Sequence, residues 1–155
     1  MNNSKYKYSV LFICSANIGR SQMAEGFYNH YLKQMHYSGL KAASAAGIED
    51  IRKKYDFRPA PEIIKVMAEK GIDISIQRVK LADKNLIAQS KNIIVLCEIK
   101  KCFGGIKKSS KCKMIPIKDP WSSKETSKKN RLKNYRRTRD KIEMIVNNLL
   151  SQNES

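Results

Sequence analysis

Two continuous apolar runs are the strongest structural signals in the chain. Residues 9–13 and 92–97 are almost entirely apolar and rich in β-favouring side chains. Such runs predict strands that are covered on both faces of a sheet. Residues 113–117 predict another strand, and the alanine-rich residues 40–45 form a weaker candidate for a fourth.

Apolar residues spaced three or four apart predict helices between these strands. The predicted helices span residues 20–34, 62–70, 81–90 and 131–150, with a short one over 98–103. Residues 47–61 are irregular, and residues 122–130 are polar, rich in lysine and expected to be mobile.

Alternating strands and helices favour an α/β fold, a three-layer sandwich around a four-stranded parallel sheet. A chain of 155 residues is the size of one domain, covering residues 1–155. Ligands of such folds bind beyond the carboxyl ends of the strands. Cys14 and Asp119 each follow a predicted strand, so we expect them to meet at this edge.

The net charge of +17 is the most unusual feature of the composition. Nucleic-acid binding is one explanation, but no recognition motif accompanies the lysines. A basic surface that attracts anionic substrates is favoured instead. No apolar run has the length of a membrane span and the first eight residues are polar, so we expect a cytoplasmic protein with no membrane partner.

The cysteines and histidines have no metal-ligand spacing. The four cysteines, at positions 14, 97, 102 and 112, are expected to be reduced thiols rather than a disulfide framework.

The sequence Cys14-x5-Arg20-Ser21 carries the clearest chemistry. A loop between a strand and a helix directs its backbone N–H groups, and the positive end of the helix dipole, at one point. A thiol placed there is driven towards thiolate. The Arg20 guanidinium can hold two oxygens of a tetrahedral oxyanion, and the Ser21 hydroxyl can donate to the sulfur. The pattern predicts a nucleophile within an oxyanion cradle, rather than an inert buried cysteine.

Residues 14–21, with Asn17 three after the cysteine, resemble the phosphate-binding loop of the low-molecular-weight protein tyrosine phosphatases. That superfamily includes the thioredoxin-coupled arsenate reductases. Its other motifs match residues 20–26, 45–48, 71–75, 119–120 and 135–142, in the family's order. The resemblance also supports the weak strand over 40–45.

The resemblance implies a phosphocysteine formed on Cys14, with Asp119 as the general acid and then the general base. It implies that Asn17 braces the loop and that Trp121 lies beside an aryl substrate. Tyr55 and Phe57 then border the mouth of the site or simply hold their loop to the body. The implied catalytic residues are Cys14, Arg20, Ser21 and Asp119. The implied substrate-binding residues are Ser15, Ala16, Asn17, Ile18, Gly19 and Trp121.

Two branches of the superfamily compete. Ile18 and Trp121 resemble the phosphatases, whereas residues 22–26 and 95–97 resemble the arsenate reductases. A reductase needs two further thiols. Cys97 matches one of them and Cys102 is the obvious other, although its spacing departs from the family pattern. Cys112 is a weaker candidate.

Two departures concern a metal ion. Some arsenate reductases hold potassium with a serine and an acid, and these positions match Ala45 and Lys80 here. We therefore expect no metal, no cofactor, and one loop-bracing hydroxyl fewer. The favoured function is hydrolysis of phosphotyrosyl protein or small aryl phosphates. The alternative is arsenate reduction by Cys14, Cys97 and Cys102 with thioredoxin.

Overall fold

The computed structural model describes residues 5–36, 38–98, 111–122 and 127–153. The strands are β1 (Tyr8–Cys14), β2 (Ala42–Ala46), β3 (Ser90–Val95) and β4 (Cys112–Met114). The helices are α1 (Arg20–Gln34), α2 (Pro61–Ala68), α3 (Lys84–Ala88) and α4 (Lys128–Asn153). Short 3₁₀ turns at Arg52–Tyr55 and Pro120–Ser122 follow β2 and β4.

The four strands form one parallel sheet in the order β2-β1-β3-β4. Strand β1 lies in the interior of the sheet, with β2 on one side and β3 on the other, because its run of apolar residues is suited to burial on both faces. The predicted single-domain α/β fold with a four-stranded parallel sheet is therefore confirmed.

Alternate residues of β1 face two separate cores. Val10 and Phe12 pack with residues of α1, α2 and α4 on one face. Leu11 and Ile13 pack on the other face against partly buried side chains of α3. The helices thus form the outer layers, and the carboxyl end of β1 is fixed between them.

Several predicted boundaries are wrong by a few residues. Strand β2 ends later than residue 45, and β3 starts earlier than residue 92. Strand β4 ends at Met114, before residue 117, although the N–H groups of Ile115 and Ile117 still donate to the carbonyls of Val95 and Leu96.

The helix predictions also need correction. Helix α3 begins only after Asp83, whose carboxylate accepts a hydrogen bond from the Leu86 N–H at 2.7 Å. Helix α4 begins at Lys128, within the segment expected to be mobile. The short helix predicted over 98–103 lies almost wholly outside the described residues, as does Cys102. Across the described ranges, no helix combines the length and apolar character needed to cross a membrane.

Candidate active site

The Cys14–Ser21 loop joins β1, one of the two interior strands, to the first helix. Cys14 is the last residue of β1 and Arg20 the first of α1. Within the described ranges, the backbone N–H groups of residues 16–19 donate to no backbone carbonyl. Together with the unpaired N–H groups of the first turn of α1, they are available to an anion.

The Cys14 thiol is buried and lies against a serine hydroxyl. Its Sγ lies 2.9 Å from the hydroxyl of Ser21, on the first turn of α1. Ser21 is fully buried as well, so its hydroxyl is held against the sulfur.

Asn17 ties the loop to three other parts of the molecule. Its Nδ2 donates to the hydroxyls of Ser21 at 2.7 Å and Ser44 at 2.9 Å. Its Oδ1 accepts from the Lys80 backbone N–H at 2.9 Å and from Gln22 Nε2 at 3.0 Å. The backbone φ of Asn17 is +60°, a left-handed conformation that asparagine tolerates better than most residues. Asn17 therefore joins the loop to α1, to β2 and to the segment around Lys80.

The expectation that a bracing hydroxyl is absent is wrong. Ala45 pairs with Ile13 and faces the α3 side of the sheet, whereas Ser44 faces α1 and meets Asn17. Because side chains alternate along a strand, a serine one position away provides this hydroxyl from the correct face. Alternation along residues 42–46 was the signal that could have revealed it.

Ser44 continues the network to a buried acid. Its hydroxyl donates to Glu25 Oε1 at 2.9 Å, and the Lys80 ammonium lies 3.7 Å from the same oxygen. Burial raises the pKa of Glu25, and the nearby Lys80 charge opposes that rise. No group of three or more His, Cys, Asp or Glu side chains suited to a metal comes together in the described part of the chain.

The Arg20 guanidinium is buried and held from two strand ends. Its Nη1 donates to the carbonyl of Ile117 at 2.9 Å and lies 3.5 Å from that of Leu96. Its Nη2 lies 3.5 Å from Ser15 Oγ and 3.9 Å from Asp119 Oδ2. These contacts fix the guanidinium at the edge of the sheet where β1 and β3 end.

The segment after β4 covers the loop. Asp119 Oδ1 accepts from the backbone N–H of Trp121 at 2.9 Å, and the Asp119 side chain is 42% exposed. The Trp121 ring packs over Gly19 and against Tyr135 of α4, with ring centroids 5.2 Å apart. Gly19 has no Cβ, which leaves room for the indole.

One cleft of about 240 Å³ brings most of the expected residues together. Its lining includes the whole of residues 14–20, with Asp119 and Trp121. Tyr55 also lines it, whereas Phe57 does not and instead lies beneath the Arg52 guanidinium, 5.7 Å from its ring centroid. Sequence reasoning did not identify Ile51 and Glu49, which complete the lining from the irregular segment.

Cys97 lies next to this site in a different redox state. It is buried immediately after β3 and takes part in a disulfide bond, whereas Cys14 and Cys112 are free thiols. The expectation of four reduced thiols is therefore wrong for Cys97. Cys97 lines a second cavity of about 390 Å³ together with Arg20 and Asp119. Burial raises the pKa of the half-buried Cys112 thiol.

A parallel α/β sheet that carries a cysteine, an arginine and a preformed anion loop at its carboxyl edge defines an enzyme of oxyanion chemistry. The chain belongs to the low molecular weight phosphotyrosine protein phosphatase family, whose model matches residues 9–154.

Similar proteins include both phosphatases and arsenate reductases. An arsenate reductase of Staphylococcus aureus (strain bovine RF122 / ET3-1) is 31% identical over 151 residues, covering 94% of this chain and 98% of that protein. The low molecular weight protein tyrosine phosphatase from T. tengcongensis has a TM-score of 0.73 at 20% identity, covering 94% and 99% of the two chains. An arsenate reductase in the phosphate binding state has a TM-score of 0.72 at 24% identity, covering 94% and 98%. The two structures establish the fold alone.

Proposed function

We propose that this protein is a cysteine-dependent phosphatase that hydrolyses phosphotyrosine or similar aryl phosphates. The observation that carries the proposal is the lining of the 240 Å³ cleft, in which the Cys14 loop is joined by the aromatic side chains of Tyr55 and Trp121. The loop suits a phosphate, and the two aromatic side chains suit the ring attached to it.

In the first step, the Cys14 thiolate attacks phosphorus and the bond from phosphorus to the aryl oxygen breaks. Arg20 and the backbone N–H groups of residues 16–19 hold the phosphoryl oxygens as charge develops on them. Asp119 gives its proton to the departing oxygen, so that a phenol leaves. Its place in the same cleft supports this role.

In the second step, water attacks the phosphocysteine. Asp119 accepts the proton of that water, the bond from sulfur to phosphorus breaks, and inorganic phosphate leaves. The Ser21 hydroxyl, 2.9 Å from Sγ, stabilises the departing thiolate. No step requires a metal ion or cofactor. The proposal includes a cytoplasmic location, because a thiolate nucleophile needs a reducing compartment.

Arsenate reduction is the second candidate, and the disulfide state of Cys97 favours it specifically. In this reaction Cys97, first reduced from its disulfide by thioredoxin, attacks as a thiol the sulfur of arsenylated Cys14, which releases arsenite and leaves a disulfide between the two cysteines. Cys102 would resolve that disulfide, and thioredoxin would reduce the resulting Cys97–Cys102 pair. The arsenate reductase from S. aureus named above supports the same candidate.

Turnover of p-nitrophenyl phosphate tests the phosphatase. We expect activity that survives chelation by EDTA and is inhibited competitively by phosphate or vanadate. Cys14→Ser should abolish it, and Arg20→Lys should cost nearly as much because the two-pronged grip is lost. Substantial turnover by a folded Cys14→Ser variant would refute the proposal.

Cysteine variants separate the two reactions. A phosphatase needs only Cys14, so Cys97→Ser and Cys102→Ser should each remain within a few-fold of the parent for aryl phosphate. Cys112→Ser is the matched control, since it removes a free thiol outside both cavities. If arsenate is reduced with thioredoxin, Cys97→Ser should abolish that reaction alone. Cys102→Ser should trap a Cys14–Cys97 disulfide, detectable by mass spectrometry. Thioredoxin-linked arsenate turnover without aryl phosphate hydrolysis would reverse the assignment.

A further inference from the structure

A third cavity, of about 180 Å³, adjoins the active-site cleft on the side of α4. We call it the basic groove. Its lining includes Lys118, Asp119, Asn134, Arg137, Thr138 and Lys141. Asp119 lines both the groove and the cleft, so the two cavities meet at this side chain. A group extending from a substrate held in the cleft can therefore reach the groove.

The groove has an excess of positive charge. Lys118, Arg137 and Lys141 are exposed and line it, and Asp119 is the one carboxylate among the described residues of its lining. Among the residues that the structure describes, no acid lies within 4.0 Å of the charged nitrogens of these three cations. Their positive charge is therefore available to solvent or to a ligand that binds beside the cleft.

Two described acids near this part of α4, Glu69 and Asp140, have other partners. Glu69 receives hydrogen bonds from Arg136 and Arg139, at 2.8 Å in each case. Asp140 receives one from Arg139 at 2.9 Å. The Glu69 contacts hold the end of α2 against α4, and neither of these two acids offsets the charge of the groove.

The charge distribution of α4 opposes its own stability. Residues 128–141 contain eight basic residues and one acidic residue, and the first turn contains no acid. Positive charge near a helix N-terminus is unfavourable because the helix dipole is positive there. Arg137 and Lys141 lie beyond the first turn, but they are four residues apart on one helix face, where like charges repel each other. A bound anion would relieve this second repulsion, which gives a physical reason for the basic half of α4 to lie beside the site.

We propose that the basic groove binds an acidic segment of the protein substrate next to its phosphorylated residue. This inference rests on the proposed phosphatase function and names its substrate class. Arg137 and Lys141 would pair with two substrate carboxylates, and the Asn134 amide can donate to one of them. A polypeptide fits better than a nucleic acid, because the described residues that line the groove include no aromatic side chain on which a base could stack.

Binding of paired peptides tests the groove. One fluorescent phosphotyrosyl peptide carries two glutamates beside the phosphotyrosine, and its match carries glutamines. Anisotropy titrations use the Cys14→Ser protein, which cannot form the phosphocysteine. We expect the acidic peptide to bind about three- to tenfold more tightly, the size expected for two exposed ion pairs. The double variant Arg137→Gln, Lys141→Gln should lose this preference, and added salt should weaken it in the parent.

A second double variant, Lys33→Gln with Lys91→Gln, is the matched control. It removes the same charge from exposed positions at the opposite end of the molecule, on the last turn of α1 and the start of β3. We expect it to keep the preference. If this control lost the preference for the acidic peptide to the same extent, the effect would come from net charge, and the proposal would be overturned.

Equal affinity of the two peptides for the parent would also overturn the proposal. The proposal would also fail if a single-stranded oligonucleotide displaced the fluorescent acidic peptide at a lower concentration than the unlabelled peptide does, and if this displacement required Arg137 and Lys141. Nucleic acid would then be the occupant of the groove. Turnover of p-nitrophenyl phosphate is measured in parallel with proteins that keep Cys14. Absence of turnover in the parent would refute the phosphatase, and the peptide preference would stand as a separate result. Where the parent is active, both double variants should keep its rate of turnover.

Discussion

Replacement of Gly19 by alanine should impair the site through Trp121. A Cβ at this position would lie 2.5 Å from Cζ3 and 2.6 Å from Cη2 of the indole, closer than carbon atoms approach without a bond. Trp121 has little freedom to move away, because Tyr135 packs against its ring and its backbone N–H donates a hydrogen bond to Asp119. Displacing Trp121 therefore also disturbs the carboxylate proposed as general acid.

The size of the effect follows from overpacking. Inserting one methyl group into a packed contact costs about 1–3 kcal/mol, shared between the stability of the fold and the geometry of the site. We expect kcat/KM for p-nitrophenyl phosphate to fall about tenfold, which corresponds to about 1.4 kcal/mol. Inhibition by inorganic phosphate should change less, because the backbone N–H groups that hold the anion remain.

A double-mutant cycle isolates the cause. In a Trp121→Leu background, the added methyl group has room, so Gly19→Ala should cost less than twofold there, the size of a change with little coupling. Gly26→Ala is the control on the same helix, where the new Cβ would lie 2.6 Å from Ile74 Cγ2 in the core. It should lower thermal stability and leave the kinetics of the folded protein unchanged. If Gly19→Ala costs the same with tryptophan and with leucine, the collision is not the cause and the reasoning fails.

Three further predictions concern other contacts. Asn17→Ala should lower the free energy of unfolding in urea by about 2–4 kcal/mol and should weaken inhibition by phosphate. The substitution removes buried hydrogen bonds and places alanine at a backbone φ of +60°, which alanine tolerates less well. A loss of stability near zero would contradict the bracing role. Asp119→Asn should slow aryl phosphate turnover about a hundredfold, and less for the best leaving groups, as expected for a general acid; a uniform loss would remove that role. The contacts from Arg136 and Arg139 lower the pKa of Glu69 from its usual 4.5 to about 2. That stabilisation is present above pH 4.5 and is lost as the pH falls towards 2. The free energy of unfolding of the parent should exceed that of Glu69→Gln by about 1 kcal/mol at pH 7, after allowance for exposure. This difference should shrink in unfolding curves measured at acid pH.

The sequence predicted the sheet well because the signals for β1 and β3 are local. Their apolar runs need no knowledge of the rest of the molecule, and the sheet they indicated is the one observed. Boundaries were less predictable where local signals conflicted. The start of α3 depends on the cap formed by Asp83, and α4 extends into lysine-rich residues that have low helical amphipathicity.

For the candidate site, the spacing of the loop indicated which residues lie together, but it did not identify their supports. The motif match indicates position 45 for the bracing hydroxyl, and Ala45 has none. The face of the strand decides which side chain reaches Asn17, and that side chain is Ser44. The burial of Arg20 against two strand-end carbonyls also depends on tertiary contacts that no local pattern encodes.

The hydrogen bonds of Asn17 have a consequence for how the protein is made. They reach Ser44, 27 residues along the chain, and Lys80, 63 residues along. The segment around Lys80 is in turn held by the pairing of Ala46 with Leu81. A ribosome that has released only β1 and α1 has therefore produced the nucleophile and the arginine without the supports that shape the loop between them. Closing these distant contacts is slow compared with forming a helix. The nascent chain thus acquires its anion site only after more than half of its residues have emerged and folded back onto β1.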